Sequence, residues 1–183
     1  MKIKIISILF LTLFLYGCDN IVDSTPTKTN GETTINTKIV NFKSTSFSFL
    51  QGGNIDFPNS NNIIPDIMIL VQTDETGSIL DVFFSPGIAL KPSFNLIKQI
   101  SDIDSAQTFF NNLNEVPDSN YIDLAIPVKE YQIWAVKTVD DKFGKILILN
   151  TKAFTDSSNT SAPTPYGEAT FKWKYQPDGS RIF

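Results

Sequence analysis

The stretch that most constrains this chain is its end, "EATFKWKYQPDGSRIF" (168–183). Phe171, Trp173 and Tyr175 alternate with Lys172, Lys174 and Gln176. In an extended strand successive side chains point to opposite faces, so this spacing lays three rings on one side and three polar groups on the other. Pro177, Asp178 and Gly179 then supply a fixed φ, a side chain that bonds local backbone and a positive-φ position, which together make a turn. The pattern predicts a closing hairpin: an aromatic strand facing the core, a turn, and Ser180 to Phe183 returning as the last strand.

The same vocabulary recurs upstream, in short runs rich in β-branched and aromatic residues, broken by turn signals. "TKIVNF" (37–42) and "SFSFL" (46–50) read as opening strands, "GGNIDFPNSNN" as a loop, and "DIMILVQT" (66–73) as a buried strand. "DETG" (74–77) is a turn, "SILDVFF" (78–84) its hairpin partner, and "SPGIALKP" breaks the pattern with two prolines and a glycine. "YIDLAIP", "YQIWAVKTV", "KILILN" and "EATFKWKY" resume it, with "DDKFG" as a hairpin connection and "TDSSNTSAPTP" as a surface loop. The one helix expected is "SDIDSAQTFFNNLNEVP", capped by Ser105 or Asp104. Its shared face would be Ala106, Phe109, Phe110 and Leu113, and Pro117 would end it. Many short strands and one short helix predict a mainly β fold, a single antiparallel β-sandwich or barrel-like domain over 37–183.

The chain opens "MKIKIISILFLTLFLYGCDN". Lys2 and Lys4 precede an apolar stretch from Ile5 to Tyr16, twelve residues long. A membrane span needs about 20, so this is a secretory signal rather than a stable span. Leu15-Tyr16-Gly17-Cys18 resembles the lipobox of bacterial lipoproteins, in which the cysteine is lipidated and becomes the first residue. Cys18 is the single cysteine, so no disulfide within the chain and no cysteine metal cluster is available. The reading is a signal peptide over 1–17, a lipidated Cys18, and a tether over 18–36 too polar to order itself. Such an anchor places the domain on the cell envelope, at the outer membrane or cell surface, with the inner-membrane periplasmic face left open by Asp19. Without residues 1–17, Lys+Arg falls from 15 to 13 against 19 Asp+Glu, a net charge of −6. That argues against nucleic acid and anionic bilayer surfaces as partners, since both select basic patches.

Histidine is absent, which excludes Ser-His-Asp and Cys-His nucleophile systems, His-based zinc sites and His general bases. "QGGN" (51–54) lacks the spacing of a phosphate-cradling loop. Asp102 and Asp104 read as helix-start residues that complement the dipole, and Asp140 and Asp141 as turn residues. The chain is therefore read as no enzyme. Tyr121, Tyr131, Trp134, Tyr166, Trp173 and Tyr175 are candidates for stacking on a sugar or other ring, and strand alternation assigns at least half of them to core packing. Tyr121, Tyr131, Trp134 and Tyr166 are carried forward as candidate ligand-binding residues.

The ending, together with "YQIWAVKTVDDKFGKILILN" (131–150) and "FSFLQGGNI" (47–55), resembles the HmuY-like family of lipoproteins. The likeness spans residues 45–183 in order. It implies an all-β, membrane-anchored domain outside the cytoplasm that carries haem to an outer-membrane receptor. Family members ligate the iron through paired His or paired Met. Here no His exists, and Met68 is the one methionine left after the signal, inside "IMILV" where it reads as a gap-filler. No axial pair carries over, and haem held by apolar walls or a single Tyr stays open.

The reading is a non-catalytic, lipid-anchored lipoprotein binding a small ligand or partner protein through loops 51–65, 85–93 and 154–166. A haem- or tetrapyrrole-binding lipoprotein with altered ligation and a carbohydrate-capturing lipoprotein are the alternatives.

Overall fold

The computed structural model describes residues 28–158 and 162–183. In chain order the elements are β1 (Asn30–Asn36), β2 (Ser44–Ser48), β3 (Gly53–Phe57), β4 (Met68–Thr73), β5 (Ile79–Ser85), β6 (Phe94–Gln99), α1 (Ile103–Asn112), β7 (Gln132–Lys137), β8 (Phe143–Asp156) and β9 (Thr164–Gln176). The fold is mainly β and antiparallel, as expected.

The principal layer is a five-stranded sheet in the order β1-β9-β8-β7-β6. Its register lines up Trp134, Ile146, Trp173 and Gly31 in one row, and Val136, Gly144 and Tyr175 in the next. These rows face the second layer, built from the β2-β3 and β4-β5 hairpins. Phe47 centres the contact, with ring centroids 4.9 Å from Phe49, 5.3 Å from Phe171 and 5.2 Å from Trp173. Each fully buried ring of this kind contributes about 1.5–3 kcal/mol through area removed from water. Aromatics of this size demand space in the opposite strands. A Cβ on Gly144 would stand 2.5 Å from the Phe49 ring, and one on Gly31 3.2 Å from Trp173.

The second layer is stitched to the first at its edges, which makes the sandwich barrel-like. Phe47 bridges to Ile67, joining the two hairpins. Beyond β5, Ala125 bridges to Phe84 and Val128 N donates to Val82 O, while Ile122 bridges to Phe94 on β6. On the other side Asn54 Nδ2 donates to Thr34 O across β3 and β1. The far face of the sheet carries α1, which seals a smaller cluster of Ala106, Phe110, Ile133 and Leu147.

Several local expectations are corrected. Residues 30–36, read as tether, form β1 and pair with β9 along their whole length, so the ordered domain begins before 37. Only Ile35 is buried there; an edge strand is held by its ladder of backbone bonds and needs little apolar surface. "TKIVNF" is not a strand: Asn41 and Phe42 take positive φ, Val40 and Lys43 exchange backbone bonds around them, and Phe42 is 94% exposed. The "GGNIDFPNSNN" loop contains β3, and "YIDLAIP" makes isolated bridges instead of a strand. β6, in "FNLIKQ", is a further strand, paired with β7, in a stretch with no expected element. The "buried" strand 66–73 is buried on one side, with Ile69 inward and Leu70 outward.

Two corrections concern ends. The N-cap of α1 is Asp102, whose side chain accepts from Ser105 N, and not Ser105 or Asp104; the helix stops at Leu113, before Pro117. The tail makes its turn at Gly179 (φ 81), but Ser180–Phe183 does not return along β9. Both edges of β9 are occupied, by β1 and β8, so a third strand has no ladder to join. The tail instead pairs with the segment after α1, where Val116 N donates to Arg181 O and Phe183 N to Asn114 O.

Candidate functional site

Cys18 and the signal segment 1–17 lie outside the described residues. The four candidate aromatics are dispersed by the fold. Trp134 is buried in the main core, its Nε1 donating to Gln132 Oε1 at 3.0 Å. Trp173 and Tyr175 are buried with it. Tyr131, at positive φ, packs half-buried against the α1 cluster. Met68 is half-buried on β4. Tyr121, Tyr131 and Tyr166 each keep partial exposure; Tyr121 and Tyr166 stand beside charged side chains, in two different places.

Tyr121 lines an open cleft of about 400 Å³ with Lys91, Lys137, Asp118 and Asp141. Its hydroxyl donates to Pro117 O at 2.8 Å, and burial pushes its pKa well above the usual phenol range. The wall that carries it is clamped, because Asn95 Nδ2 donates to both Ser119 O and Asn120 O. The opposite wall is the β7–β8 hairpin. There Asp141, at positive φ, places one carboxylate oxygen 3.2 Å from Lys91 Nζ and 3.3 Å from Lys137 Nζ. Hydrogen bonds from these two lysines hold the Asp141 carboxyl below its ordinary value. Lys91 also donates to Val139 O at 2.7 Å. Asp141 thus occupies the turn expected of it, and that turn also builds the cleft.

Tyr166 lies on the exposed side of the β8–β9 hairpin, beside the loop read as 154–166, of which residues 159–161 are outside the described set. Its ring meets the exposed Phe154 at 4.8 Å between centroids. Its hydroxyl donates to Glu168 Oε2 at 2.6 Å, and Lys152 Nζ donates to Glu168 Oε1 at 2.9 Å. The arrangement is a ring pair beside a carboxylate whose two oxygens are both engaged. Burial and Glu168 push the tyrosine up to about 12.

Two buried ionisable groups escaped the sequence reading. Asp66 accepts from Phe49 N at 2.7 Å and Val139 N at 2.8 Å, and burial, reinforced by Asp140, pushes it up to about 6. Lys145 donates to Phe110 O and Leu113 O at the end of α1, and burial together with Lys174 pushes it down to about 8. Alternation along β8 does place Lys145 on the helix-facing side, but nothing local says that the helix end and the tail will cover it. Lys91 and Lys137 lack a sequence signal as well, since they meet only through Asp141. Among the described residues no three His, Cys, Asp or Glu side chains converge as a metal site. Comparison with protein-family models, with curated proteins and with solved structures finds no match.

Proposed function

We propose that this chain is a lipid-anchored, non-catalytic binding domain, held on the cell envelope through Cys18 and presenting its cleft to a small ligand. The observation that carries the binding part is the cleft between Tyr121 and Asp141, which has the volume of a small-molecule site, about 400 Å³. Its non-catalytic character is supported by the protonation of its walls. A general acid or base works best with a pKa near the working pH. In the cleft, Asp141 is held low and Tyr121 high. The groups that move toward neutrality, Asp66 and Lys145, are buried and do not line it; Asp66 sits behind the hairpin wall, bonded to Val139 N. The anchor rests on the lipobox-like Leu15-Tyr16-Gly17-Cys18.

The test has two parts on the full chain. Cys18→Ser should release the protein from the membrane fraction; retention there overturns the anchor. Detergent-solubilised protein is then titrated with haemin. A Soret shift saturating at one haem per chain would replace this reading with the haem-carrier one implied by the HmuY-like resemblance, in which Met68 or a tyrosine supplies a ligand.

A second reading, carbohydrate capture, is favoured by one observation: Phe154 is 48% exposed and stands beside the Tyr166–Glu168–Lys152 network on the paired strands β8 and β9. A ring face with adjacent hydrogen-bonding groups suits a sugar. Phe154→Ala should abolish oligosaccharide binding measured by calorimetry while leaving the melting temperature within a few degrees.

A further inference from the structure

We propose that the cleft is an oxyanion site in which Asp141 stands in for the ligand, so that a carboxylate or phosphate displaces it from between Lys91 and Lys137. The inference deepens the reading of the domain as a binding module and rests on it.

The burial order carries the argument. The side chains of Lys91 and Lys137 are only 15% and 33% exposed, whereas that of Asp141 is 67% exposed. The cations are sunk into the wall, and the anion that neutralises them lies over them on a hairpin tip. Two ammoniums brought together in a partly desolvated place repel, and such a place holds an anion more strongly than an open surface does. Asp141 meets the demand poorly. It uses a single oxygen, Oδ1, for both lysines. A free carboxylate or phosphate brings two or more oxygens and can give each ammonium its own, with the charge-assisted geometry that makes such bonds strong. Lys91 is held in place whether or not the anion is there, because it is tied to Val139 O, and the facing wall is clamped by Asn95. The rest of the cleft, bounded by Pro92 and the half-buried Tyr121, has room for the body of a small molecule. Asp118 on the same rim favours a body that carries hydroxyl or amino donors.

The test is a thermal-unfolding titration of the full-length protein with inorganic phosphate and, separately, with malonate, at ionic strength matched by sodium chloride. A ligand that binds only the folded chain raises the melting temperature in proportion to the logarithm of its concentration above the dissociation constant. The expected result is a stabilisation whose half-effect falls at least about tenfold lower in Asp141→Asn, because a competing charge has been removed from beside two cations. Lys137→Met, which keeps the stem and loses the charge, should abolish the effect. The ion with the lower half-effect identifies phosphate or carboxylate as the natural group. No stabilisation of Asp141→Asn by either ion, an unchanged half-effect, or full retention in Lys137→Met overturns the site. Any of those results leaves the binding-domain reading to stand or fall on haemin, oligosaccharide and Cys18→Ser.

Discussion

The ammonium of Lys145 lies 4.9 Å from the ring centroid of Phe183, the last residue of the chain, and 5.0 Å from that of Phe110. The lysine is fully buried on β8, and its hydrogen bonds go to the final carbonyls of α1. A helix ends with unpaired carbonyls and a partial negative charge, so a cation there satisfies both. Strand, helix end and chain terminus are thereby joined at one charged atom. The terminal ring serves as its lid.

Phe183→Ala should uncover that ammonium. A desolvated cation–π contact contributes about 2 kcal/mol, and loss of the ring also opens the site to water. We expect a lower urea midpoint in Phe183→Ala and a similar loss in Lys145→Met, with the double variant losing less than the two single changes added together. Strict additivity would show that the two residues do not act on each other.

Asp66 ties the end of β2 to the β7–β8 hairpin through two backbone N–H groups. Its folded pKa is raised by burial from 3.8 to about 6, so the folded state binds its proton more tightly than the unfolded chain does. Stability from this group is full below pH 4 and is lost as pH rises through 6, by about 3 kcal/mol for a shift of this size. The fall should be read as the difference between wild-type and Asp66→Asn unfolding free energies across pH 4–7. That subtraction cancels carboxylates such as Asp74 and Asp102, whose lowered pKa gives the opposite slope. A difference independent of pH would refute the assignment.

Gly144 faces Phe49 so closely that a methyl group has no room. Gly144→Ala should destabilise by about 1–3 kcal/mol through overpacking, and the near-ultraviolet dichroism should change because Phe49 also contacts Trp173 and Tyr175. An unchanged melting temperature would mean that the two layers slide apart easily.

Ser46 Oγ is buried with no hydrogen-bond partner among the described residues. Removing an unpaired buried hydroxyl is favourable, so Ser46→Ala should raise stability by about 1 kcal/mol. A loss would indicate a partner for the hydroxyl, such as a bound water.

The alternating rings of β9, the hairpins around Asp74 and Asp141, and the apolar face of α1 were all legible, because each is a local pattern of period or turn chemistry. β1 was not, since its single buried residue, Ile35, is too weak a signal and its stability comes from a partner strand more than a hundred residues away. The same partnership decided the tail: with β1 and β8 on either side of β9, Phe183 had to go elsewhere and found Lys145. The cleft followed the same logic. Lys91 is 46 positions from Lys137 and reaches it only because the hairpin and the 85–93 loop meet at one end of the sandwich. By itself the sequence determined the β character and the alternation that sorts core from surface, which depend on neighbours along the chain, and the absence of histidine chemistry, which depends on composition. Which edges are filled, which charges are buried and which lysines share an anion were decided by the tertiary structure alone, because those energies belong to groups that are neighbours only after folding.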